Sequence, residues 1–308
     1  MTKSRLQRFY KKYCERTEWN IGVVQASHAA LRELVTTGRL GPILWCPRVS
    51  VLGSRADPFV WPLGEDTRVI YEEVDPWSER GHIRSVSLQR FSHWQRSRPE
   101  IVQPYHLSYP FIVHWKNVWY CVPESARSEG VDLYAWDASI GSWQLKRRLL
   151  NGVAIVDATL FRHNELWYLF GTIRGPRAYD TLQIWWSPSL EGAWLLHGSN
   201  PAKVDLRSAR SAGSVFEVGG RWYRPAQDCT SGYGSALTIN RIDMLTPVDF
   251  RETTVSRVEP DANGPYPHGL HTIAVYENQI VIDGKRVGFS AWLPAMKAAR
   301  KFARLLTS

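Results

Sequence analysis

Cysteine is scarce in this sequence, with four residues in 308 and no Cys-x-x-Cys pair among them. Such wide spacing excludes a zinc ligand cluster and a disulfide framework, and it favours reduced thiols in a cytoplasmic protein. Long apolar runs are also missing, so we expect no membrane-spanning helix. The opening segment, MTKSRLQRFYKKYC, has no apolar stretch of the secretory-signal type, which again predicts a cytoplasmic location. The cysteines are Cys14, Cys46, Cys121 and Cys229.

Motifs of several common enzyme classes are absent as well. The chain has no Gly-rich phosphate loop, no Gly-x-Ser-x-Gly elbow, no His-Glu-x-x-His pair and no dinucleotide-binding fingerprint. Its formal net charge of +9 lies largely at the two ends and is not combined with an RNA-binding aromatic pattern, so we expect no nucleic-acid partner. Basic ends of this kind are typical of solvated helix faces, and they leave open a peripheral contact with an anionic membrane.

What the sequence does contain is a five-fold repeat. Each copy has a small or polar entry, an apolar strand, a polar turn and a second apolar strand often led by Trp-Tyr, which predicts a β-hairpin. Equivalent positions recur at steps of 52, 48, 55 and 59 residues, and a period near 50 with several strands per repeat is typical of a propeller blade. We therefore predict an all-β fold, a five-bladed β-propeller with short N- and C-terminal helices. The copies begin at Ala56, Ser108, Val156, Ser211 and Leu270.

The repeat divides the chain into three parts. Residues 1–40 form a basic segment, with helical texture at 3–14 and 27–37, that we expect to pack on the propeller. Residues 41–290 form the propeller, and residues 291–308 form a basic amphipathic helix. The fifth copy lacks the outer-strand tryptophan seen in others, so we expect its outer strands to come from elsewhere in the chain. The tryptophans predicted to pack between blades are Trp94, Trp143 and Trp194.

Residues at the start of each innermost strand are expected to face the mouth of the central channel, and carboxylates concentrate there. Crowded acids repel one another unless cations pair with them, so such a cluster is typical of a functional site, although a structural ion-pair network gives the same pattern. The first ring is Asp57, Tyr109, Asp157, Ala212 and His271, and the second is Glu73, Glu124, Thr172 and Gln227, with Asp228 adjacent. The expected partners are Arg55, Arg210 and Arg224, with His82 and His106 near by.

Two carboxyl groups, one protonated and one ionised, are what glycoside hydrolysis needs. We therefore predict Asp57, Glu124 and Asp157 as catalytic residues of a saccharide pocket. We expect no cofactor and no catalytic metal, and we leave room for a structural Ca²⁺ held by channel carboxylates. The expected partner is a saccharide, a nucleotide sugar or a lipid-linked glycan. The predicted substrate-binding residues are Glu73, His82, His106, Tyr109, Arg210, Arg224, Gln227, Asp228 and His271.

Several segments, in order along the chain, resemble the domain at the N-terminus of plant glucosamine inositolphosphorylceramide transferases. That domain is in turn similar to the five-bladed propeller of glycoside hydrolase family 43. The resemblance implies that Asp57 acts as the base and that Asp157 tunes the pKa of the acid. Glu124 is then the candidate acid, but it precedes Asp157 and no Glu-Gly-Pro acid motif is present. The segments are ADPF at Ala56, YEE at Tyr71, GHI at Gly81, HLSYPF at His106, PES at Pro123, VDATLF at Val156 and RPAQD at Arg224.

Two functions remain open at this point. The sequence favours a glycosidase-like or glycosyl-transferring enzyme that acts through the paired carboxylates. The alternative is a non-catalytic propeller that binds a sugar or glycolipid and serves a glycan biosynthesis pathway.

Overall fold

A computed structural model describes residues 14–48, 53–91 and 97–306 of the chain, with side chains up to residue 300. Five separate antiparallel β-sheets account for most of this structure, and they form the five blades of a β-propeller. The predicted fold class is confirmed. The helix predicted at residues 3–14 lies outside the described residues except for Cys14.

The N-terminal part combines two strands with one short helix. The helix begins after Ser27, whose side chain accepts a hydrogen bond from the Ala30 backbone N–H at 3.1 Å. It ends at Gly38, which adopts the left-handed conformation at φ +74° that commonly terminates helices. This is the helix predicted at 27–37. The elements are β1 (Glu15–Gln25), α1 (His28–Thr37) and β2 (Leu44–Trp45).

Blades 1 and 2 are four-stranded antiparallel sheets, each built from one copy of the repeat. Their inner strands are buried along most of their length, because neighbouring blades cover both faces of each sheet. Blade 1 consists of β3 (Ser54–Leu63), β4 (Asp66–Val74), β5 (Gly81–Ser87) and β6 (Arg98–Ile101). Blade 2 consists of β7 (Ser108–Trp115), β8 (Val118–Glu124), β9 (Gly130–Asp137) and β10 (Ser142–Asn151).

Blades 3 and 4 follow the same plan. In blade 3 the third strand pairs with two short outer segments instead of one. Blade 3 consists of β11 (Ile155–His163), β12 (Leu166–Ile173), β13 (Thr181–Ser187), β14 (Leu195–Leu196) and β15 (Lys203–Val204). Blade 4 consists of β16 (Phe216–Val218), β17 (Arg221–Asp228), β18 (Ala236–Leu245) and β19 (Phe250–Val258).

Blade 5 joins the two ends of the chain. Its inner strands are β20 (Ile273–Tyr276) and β21 (Gln279–Phe289), and its sheet order is β2-β1-β21-β20. β1 pairs with β21 along its whole length, from Glu15 opposite Phe289 to Gln25 opposite Gln279. The predicted mixed blade is confirmed. The propeller therefore begins at Glu15 rather than at residue 41, because β1 is an integral strand of this sheet.

The C-terminal helix α2 (Leu293–Leu306) lies on the side of the propeller. Leu293 and Met296 are buried, and Arg300 contacts Glu79 and the Pro76 carbonyl in the loop between β4 and β5. These contacts agree with the amphipathic helix predicted for residues 291–308. Among the described residues, none of the helices combines the length and the apolar character needed to cross a membrane.

Large aromatic side chains fill the space between blades. Trp143 of the outer strand β10 lies 4.9 Å from Trp61 of blade 1 and 5.5 Å from Trp136, measured between ring centroids. Trp143 therefore packs between blades as predicted. Trp194 is partly buried against the group of buried apolar residues that includes Trp61 and Trp143, whereas Trp94 lies outside the described residues.

Candidate functional site

The first three blades share an unusual backbone feature at the mouth of the channel. Asp57, Tyr109 and Asp157 have φ angles of 53°, 42° and 53°, and each lies at a β-bulge in its inner strand. Positive φ in a non-glycine residue costs about 1–3 kcal/mol, so the surroundings must stabilise it. The compensation comes from hydrogen bonds across the blade boundaries.

Carboxylates connect successive blades by accepting the backbone N–H groups of these bulge residues. Asp283 Oδ2 accepts from the Asp57 N–H at 3.1 Å, and Asp57 Oδ2 accepts from the Tyr109 N–H at 3.1 Å. Glu124 Oε2 accepts from the Asp157 N–H at 3.3 Å. Each of these three acids therefore stabilises the ring of blades in addition to any role toward a ligand.

His271 lies between two of these acids. Its Nδ1 forms an ion pair with Asp283, and its Nε2 is 3.7 Å from Asp57 Oδ1. Asp57 Oδ1 also accepts a hydrogen bond from the Thr272 hydroxyl at 2.7 Å. Burial lowers the pKa of His271, but the carboxylates of Asp283 and Asp57 outweigh it and raise that pKa to about 9. The imidazole is therefore cationic at neutral pH.

Asp157 forms the second charged pair of the cluster. Its Oδ2 accepts from Arg210 Nε at 2.5 Å and from Gln227 Nε2 at 3.1 Å. Arg210 and Asp157 are both buried. Burial lowers the pKa of Arg210, but the Asp157 charge outweighs it and raises that pKa. Gln227 Oε1 is buried and has no hydrogen-bond partner among the described residues.

The carboxyl groups of Glu124 and Asp57 have higher pKa values than ordinary surface acids. Burial raises the pKa of Glu124 well above its usual range, and the nearby Asp157 charge adds to this shift. Burial also raises the pKa of Asp57 to about 7, although His271 opposes the shift. The raised pKa of Glu124 favours the protonated form, which can donate a proton, whereas Asp57 is close to its titration midpoint at neutral pH.

Three aromatic rings cover the cationic side of the cluster. Trp19 stacks on His271 with ring centroids 3.9 Å apart, and Tyr233 meets His271 edge-on at 5.2 Å. Arg210 Cζ lies 5.0 Å from the Tyr233 ring and 5.4 Å from the Tyr179 ring. Tyr179 and Tyr233 are 45% and 38% exposed, so solvent or a ligand reaches their faces.

Sequence reasoning missed these rings for identifiable reasons. Trp19 lies in β1, which the repeat pattern placed outside the propeller. Tyr233 was present in the sequence as part of the GYGSA turn, where Gly232 and Gly234 adopt φ angles of 115° and 60°. The sequence signal that could have found Tyr233 was an aromatic residue between two glycines, in a loop that follows the second strand of a hairpin.

The blade 1 member of the second ring of residues needs a correction. The ladder pairs Ala56 with Glu72, as it pairs Ser108 with Glu124, so Glu72 and not Glu73 is the blade 1 counterpart of Glu124. Glu73 points to the opposite face of β4. Positions in the second ring were counted from the Trp-Tyr pair that leads the second strand of the other copies. The second strand of blade 1, which contains the YEE segment, lacks this pair, so its position was off by one.

Glu72 and Glu73 have different partners. Glu72 is 7% exposed and lies 3.1 Å from His106 Nε2, while His106 Nδ1 accepts the Gly81 N–H at 2.9 Å. Glu73 is 3.7 Å from Arg55 and 3.6 Å from Arg84. His82 pairs opposite Glu73 in the ladder. His106 thus borders the acid cluster through Glu72, whereas Glu73 belongs to a separate ion-pair group.

Arg224 and Asp228 are also misplaced by the sequence prediction. Along β17 they share the face opposite to that of Gln227, since side chains alternate in a strand. Arg224 is fully buried and binds Glu252 with two hydrogen bonds of 2.9 and 2.6 Å. Asp228 accepts from Arg257 Nε at 2.8 Å. Neither residue joins the cluster at the channel mouth.

Tyr109 lies on the axis but does not face the mouth. It is fully buried, and its hydroxyl bonds Thr159 Oγ1 at 2.8 Å and the Gly213 N–H at 2.7 Å. The structure therefore brings together six predicted residues in one cluster around the axis, while their roles toward a ligand remain predictions. They are Asp57, Glu124, Asp157, Arg210, Gln227 and His271.

A small cation could in principle use part of this cluster. Asp57, His271 and Asp283 each place one ligand atom within 4.8 Å of the others. However, Asp283 Oδ1 already accepts the backbone N–H groups of His271 and Thr272 at 2.9 and 3.0 Å. The proton on His271 supplies the positive charge between the two acids, so the arrangement does not require a metal.

The His271 proton predicts a pH dependence of stability. The unfolded imidazole loses its proton near pH 6.5, whereas the folded one keeps it up to about pH 9. The stabilisation is therefore complete below pH 6.5 and is lost as the pH rises through 9, with a total on the order of 3 kcal/mol. Urea unfolding at several pH values measures this loss.

The control for this prediction is another buried histidine. His197 bonds the Thr246 carbonyl at 2.7 Å instead of a carboxylate. We expect His271→Gln to flatten the decline between pH 6.5 and 9 and His197→Gln to retain it. An unchanged decline in His271→Gln would assign the effect to other groups.

Comparison with known proteins identifies relatives of most of the chain. Residues 38–265 match the family described as glucosamine inositolphosphorylceramide transferase 1, N-terminal. The glucosamine inositolphosphorylceramide transferase 1 of Arabidopsis thaliana is 30% identical over 206 residues, which cover 65% of this chain and 27% of the relative. The chain thus spans little more than a quarter of the length of that protein.

Solved structures with a similar fold include glycoside hydrolases. An α-L-arabinofuranosidase from Podospora anserina, in complex with cellotriose, superposes with a TM-score of 0.51 at 11% identity, covering 77% of each chain. A family 117 glycoside hydrolase from Zobellia galactanivorans also gives a TM-score of 0.51, at 13% identity, covering 76% of this chain and 85% of the other. At such identities the likeness establishes the fold alone.

Proposed function

The chain belongs to the family of the N-terminal domain of glucosamine inositolphosphorylceramide transferase 1, and we propose that it is a carbohydrate-active propeller that binds a saccharide at its channel mouth. One observation carries this proposal: the exposed rings of Tyr179 and Tyr233 flank Arg210, which pairs with Asp157. Aromatic faces pack on the apolar faces of sugar rings, and charged groups bind their hydroxyls. The sugar-related activities named for the relatives and for the structural neighbours support the same ligand class.

The ligand class can be stated more closely as a proposal. A free saccharide, a nucleotide sugar and a lipid-linked glycan all present hydroxyl groups and a pyranose or furanose face to such a site. A role in glycan biosynthesis, a cytoplasmic location, a structural Ca²⁺ and a peripheral membrane contact through the basic ends all stay predictions.

Substitution of the rim tests saccharide binding. We expect Tyr233→Ala to weaken binding at least tenfold, because it removes a stacking face and leaves Arg210 more hydrated. Calorimetric titration with a panel of mono- and oligosaccharides and nucleotide sugars measures the affinity. Ile140→Ala is the control, since Ile140 is 62% exposed in the turn between the outer strands β9 and β10 of blade 2. Equal loss in both variants, or no saturable binding by the wild type, would contradict the proposal.

Catalysis is the second candidate function, and the protonation states favour it. The raised pKa of Glu124 favours an acid that can donate to a glycosidic oxygen, while the pKa of Asp57, about 7, suits a base that takes a proton from water or from an acceptor hydroxyl. The Asp157 carboxylate, held by Arg210, keeps negative charge beside Glu124 and so preserves its proton. Because two carboxyl groups with unlike roles meet in one cluster, hydrolysis or glycosyl transfer is chemically feasible.

Conservative substitutions separate catalysis from binding. If the site is catalytic, Glu124→Gln and Asp57→Asn should lower turnover at least 100-fold, while saccharide affinity stays within a few-fold. Release of nitrophenolate from aryl glycosides, and transfer from nucleotide sugars, measures turnover. Glu73→Gln is the matched control because Glu73 pairs with Arg55 and Arg84 instead. If the wild type binds a saccharide saturably but shows no turnover, catalysis is contradicted and the non-catalytic binding function is supported.

A further inference from the structure

The opposite end of the central channel contains a second pocket, of about 480 Å³. It lies where the inner strands end and the second strands begin, whereas the carboxyl cluster lies where the inner strands begin. Its size falls within the range of small-molecule sites in proteins. Side chains from all five blades line it, and aromatic rings dominate the lining. The rings include Phe111, Trp115, Trp119, Trp167, Trp222 and Tyr276.

A plug of side chains separates this pocket from the carboxyl cluster. Tyr109 is fully buried on the axis, with its hydroxyl fixed by Thr159 and by the Gly213 N–H. The ring of Phe59 meets Tyr109 edge-on at 5.0 Å, and Phe59 also lines the apolar pocket. The two ends of the channel are therefore distinct environments, one charged and one apolar.

The lining determines which chemistry fits. Among the described residues of the lining, His114, Arg162 and Ser214 are the polar ones, and the aromatic rings add only a tyrosine hydroxyl and indole N–H groups. A saccharide or nucleotide entering it would exchange bonds to water for very few bonds to protein, which is unfavourable. A hydrocarbon chain loses no hydrogen bonds and gains about 25 cal/mol for each Å² of apolar surface removed from water.

Basic side chains at the edge of the pocket favour a ligand with a negatively charged group. Arg162 Cζ lies 4.4 Å from the ring centroid of Trp115, and Lys116 Nζ lies 5.9 Å from the same ring. Arg162 donates through Nη2 to Glu165, which is itself highly exposed. A guanidinium carries five N–H donors, so it can bind a second anion while that ion pair persists.

We propose that this apolar pocket binds the alkyl chain of a single-chain anionic amphiphile, with its acidic head group at Arg162. The chain lies among the tryptophans, and the carboxylate or phosphate remains at the edge of the pocket. This inference is independent of saccharide binding, because the plug around Tyr109 divides the two sites.

An undecanoate with a bromine on its last carbon is the probe, because bromine quenches tryptophan fluorescence on contact. We expect saturable quenching of the full chain below the micellar concentration of the probe. Val275→Trp, which fills the pocket from the inner strand β20, should weaken binding at least tenfold. Val248→Trp is the matched control at a 60% exposed position and should bind as the wild type does.

The head-group contact is tested separately. Arg162→Gln should weaken binding of the bromo-acid at least fivefold and leave binding of the corresponding bromo-alcohol unchanged. Thermal melting of each variant establishes that it is folded. The absence of saturable quenching in the wild type, or wild-type affinity in folded Val275→Trp, would overturn the site. Equal effects of Arg162→Gln on acid and alcohol would overturn the anionic preference.

Discussion

Gly213→Ala should leave almost no folded protein, with a loss of more than about 4 kcal/mol in the free energy of unfolding. Gly213 adopts φ +134°, and a Cβ there would lie 1.7 Å from the Ile273 carbonyl oxygen and 2.7 Å from its carbon. Backbone atoms cannot move away as a flexible side chain can. Ile273 is also fixed by its own N–H, which donates to the Ala212 carbonyl at 2.7 Å.

The expected damage extends beyond this contact. The Gly213 N–H donates to the Tyr109 hydroxyl, so displacement of Gly213 also disturbs the plug on the axis. Soluble yield and urea unfolding measure the outcome. Gly219→Ala is the control, because Gly219 has φ +59° in an open turn where no atom of the described residues lies within 4 Å of the new Cβ. That variant should lose only about 1–2 kcal/mol. Similar losses in both variants would refute the steric explanation.

Arg210→Met should destabilise the protein by about 3–5 kcal/mol, because it leaves the buried charge of Asp157 without its ion-pair partner. The Gln227 amide alone cannot replace a cation. Arg210 is 8% exposed, and water therefore cannot readily take its place. We also expect loss of saccharide binding, since the same guanidinium lies between Tyr179 and Tyr233.

A double-mutant cycle isolates the ion pair. Asp157→Asn is the suitable partner change, because asparagine tolerates the positive φ of this position and removes the charge. The double variant should recover about 1–3 kcal/mol relative to Arg210→Met, whereas additive losses would indicate that the charges do not interact.

Arg224→Met provides the comparison with a structural ion pair. Arg224 and Glu252 are equally buried, but Glu252 keeps a second partner in Lys203 at 2.8 Å. We therefore expect a smaller loss of stability than for Arg210→Met, with saccharide binding retained. Loss of binding in Arg224→Met would mean that the site depends on general stability rather than on Arg210.

Periodicity made the fold predictable from the sequence. The five copies specify hairpins through local signals, namely apolar runs that suit buried strands and turn residues that tolerate positive φ, such as Gly64 and Asn117. Because these signals act within a few residues of one another, their spacing also located Asp57 and Asp157 at equivalent strand starts. The missing tryptophan of the fifth copy correctly indicated a mixed blade.

Strand register limited the prediction of the site. A shift of one residue moves a side chain to the other face of a strand, and this exchanged Glu73 for Glu72. The same alternation directs Arg224 and Asp228 toward β19, where Glu252 and Arg257 meet them. No local pattern reports the pairing of residues so far apart in the chain.

The sequence by itself determined the five blades and the acids at the starts of two inner strands, because short-range periodicity encodes both. Only the tertiary structure decided which groups surround those acids. Trp19 reaches His271 through closure of the ring by β1, and Arg210 reaches Asp157 across a blade boundary. The tertiary structure also decided the protonation of these groups. Burial and neighbouring charges set the pKa values of Glu124, Asp57 and His271, and both depend on contacts between distant segments.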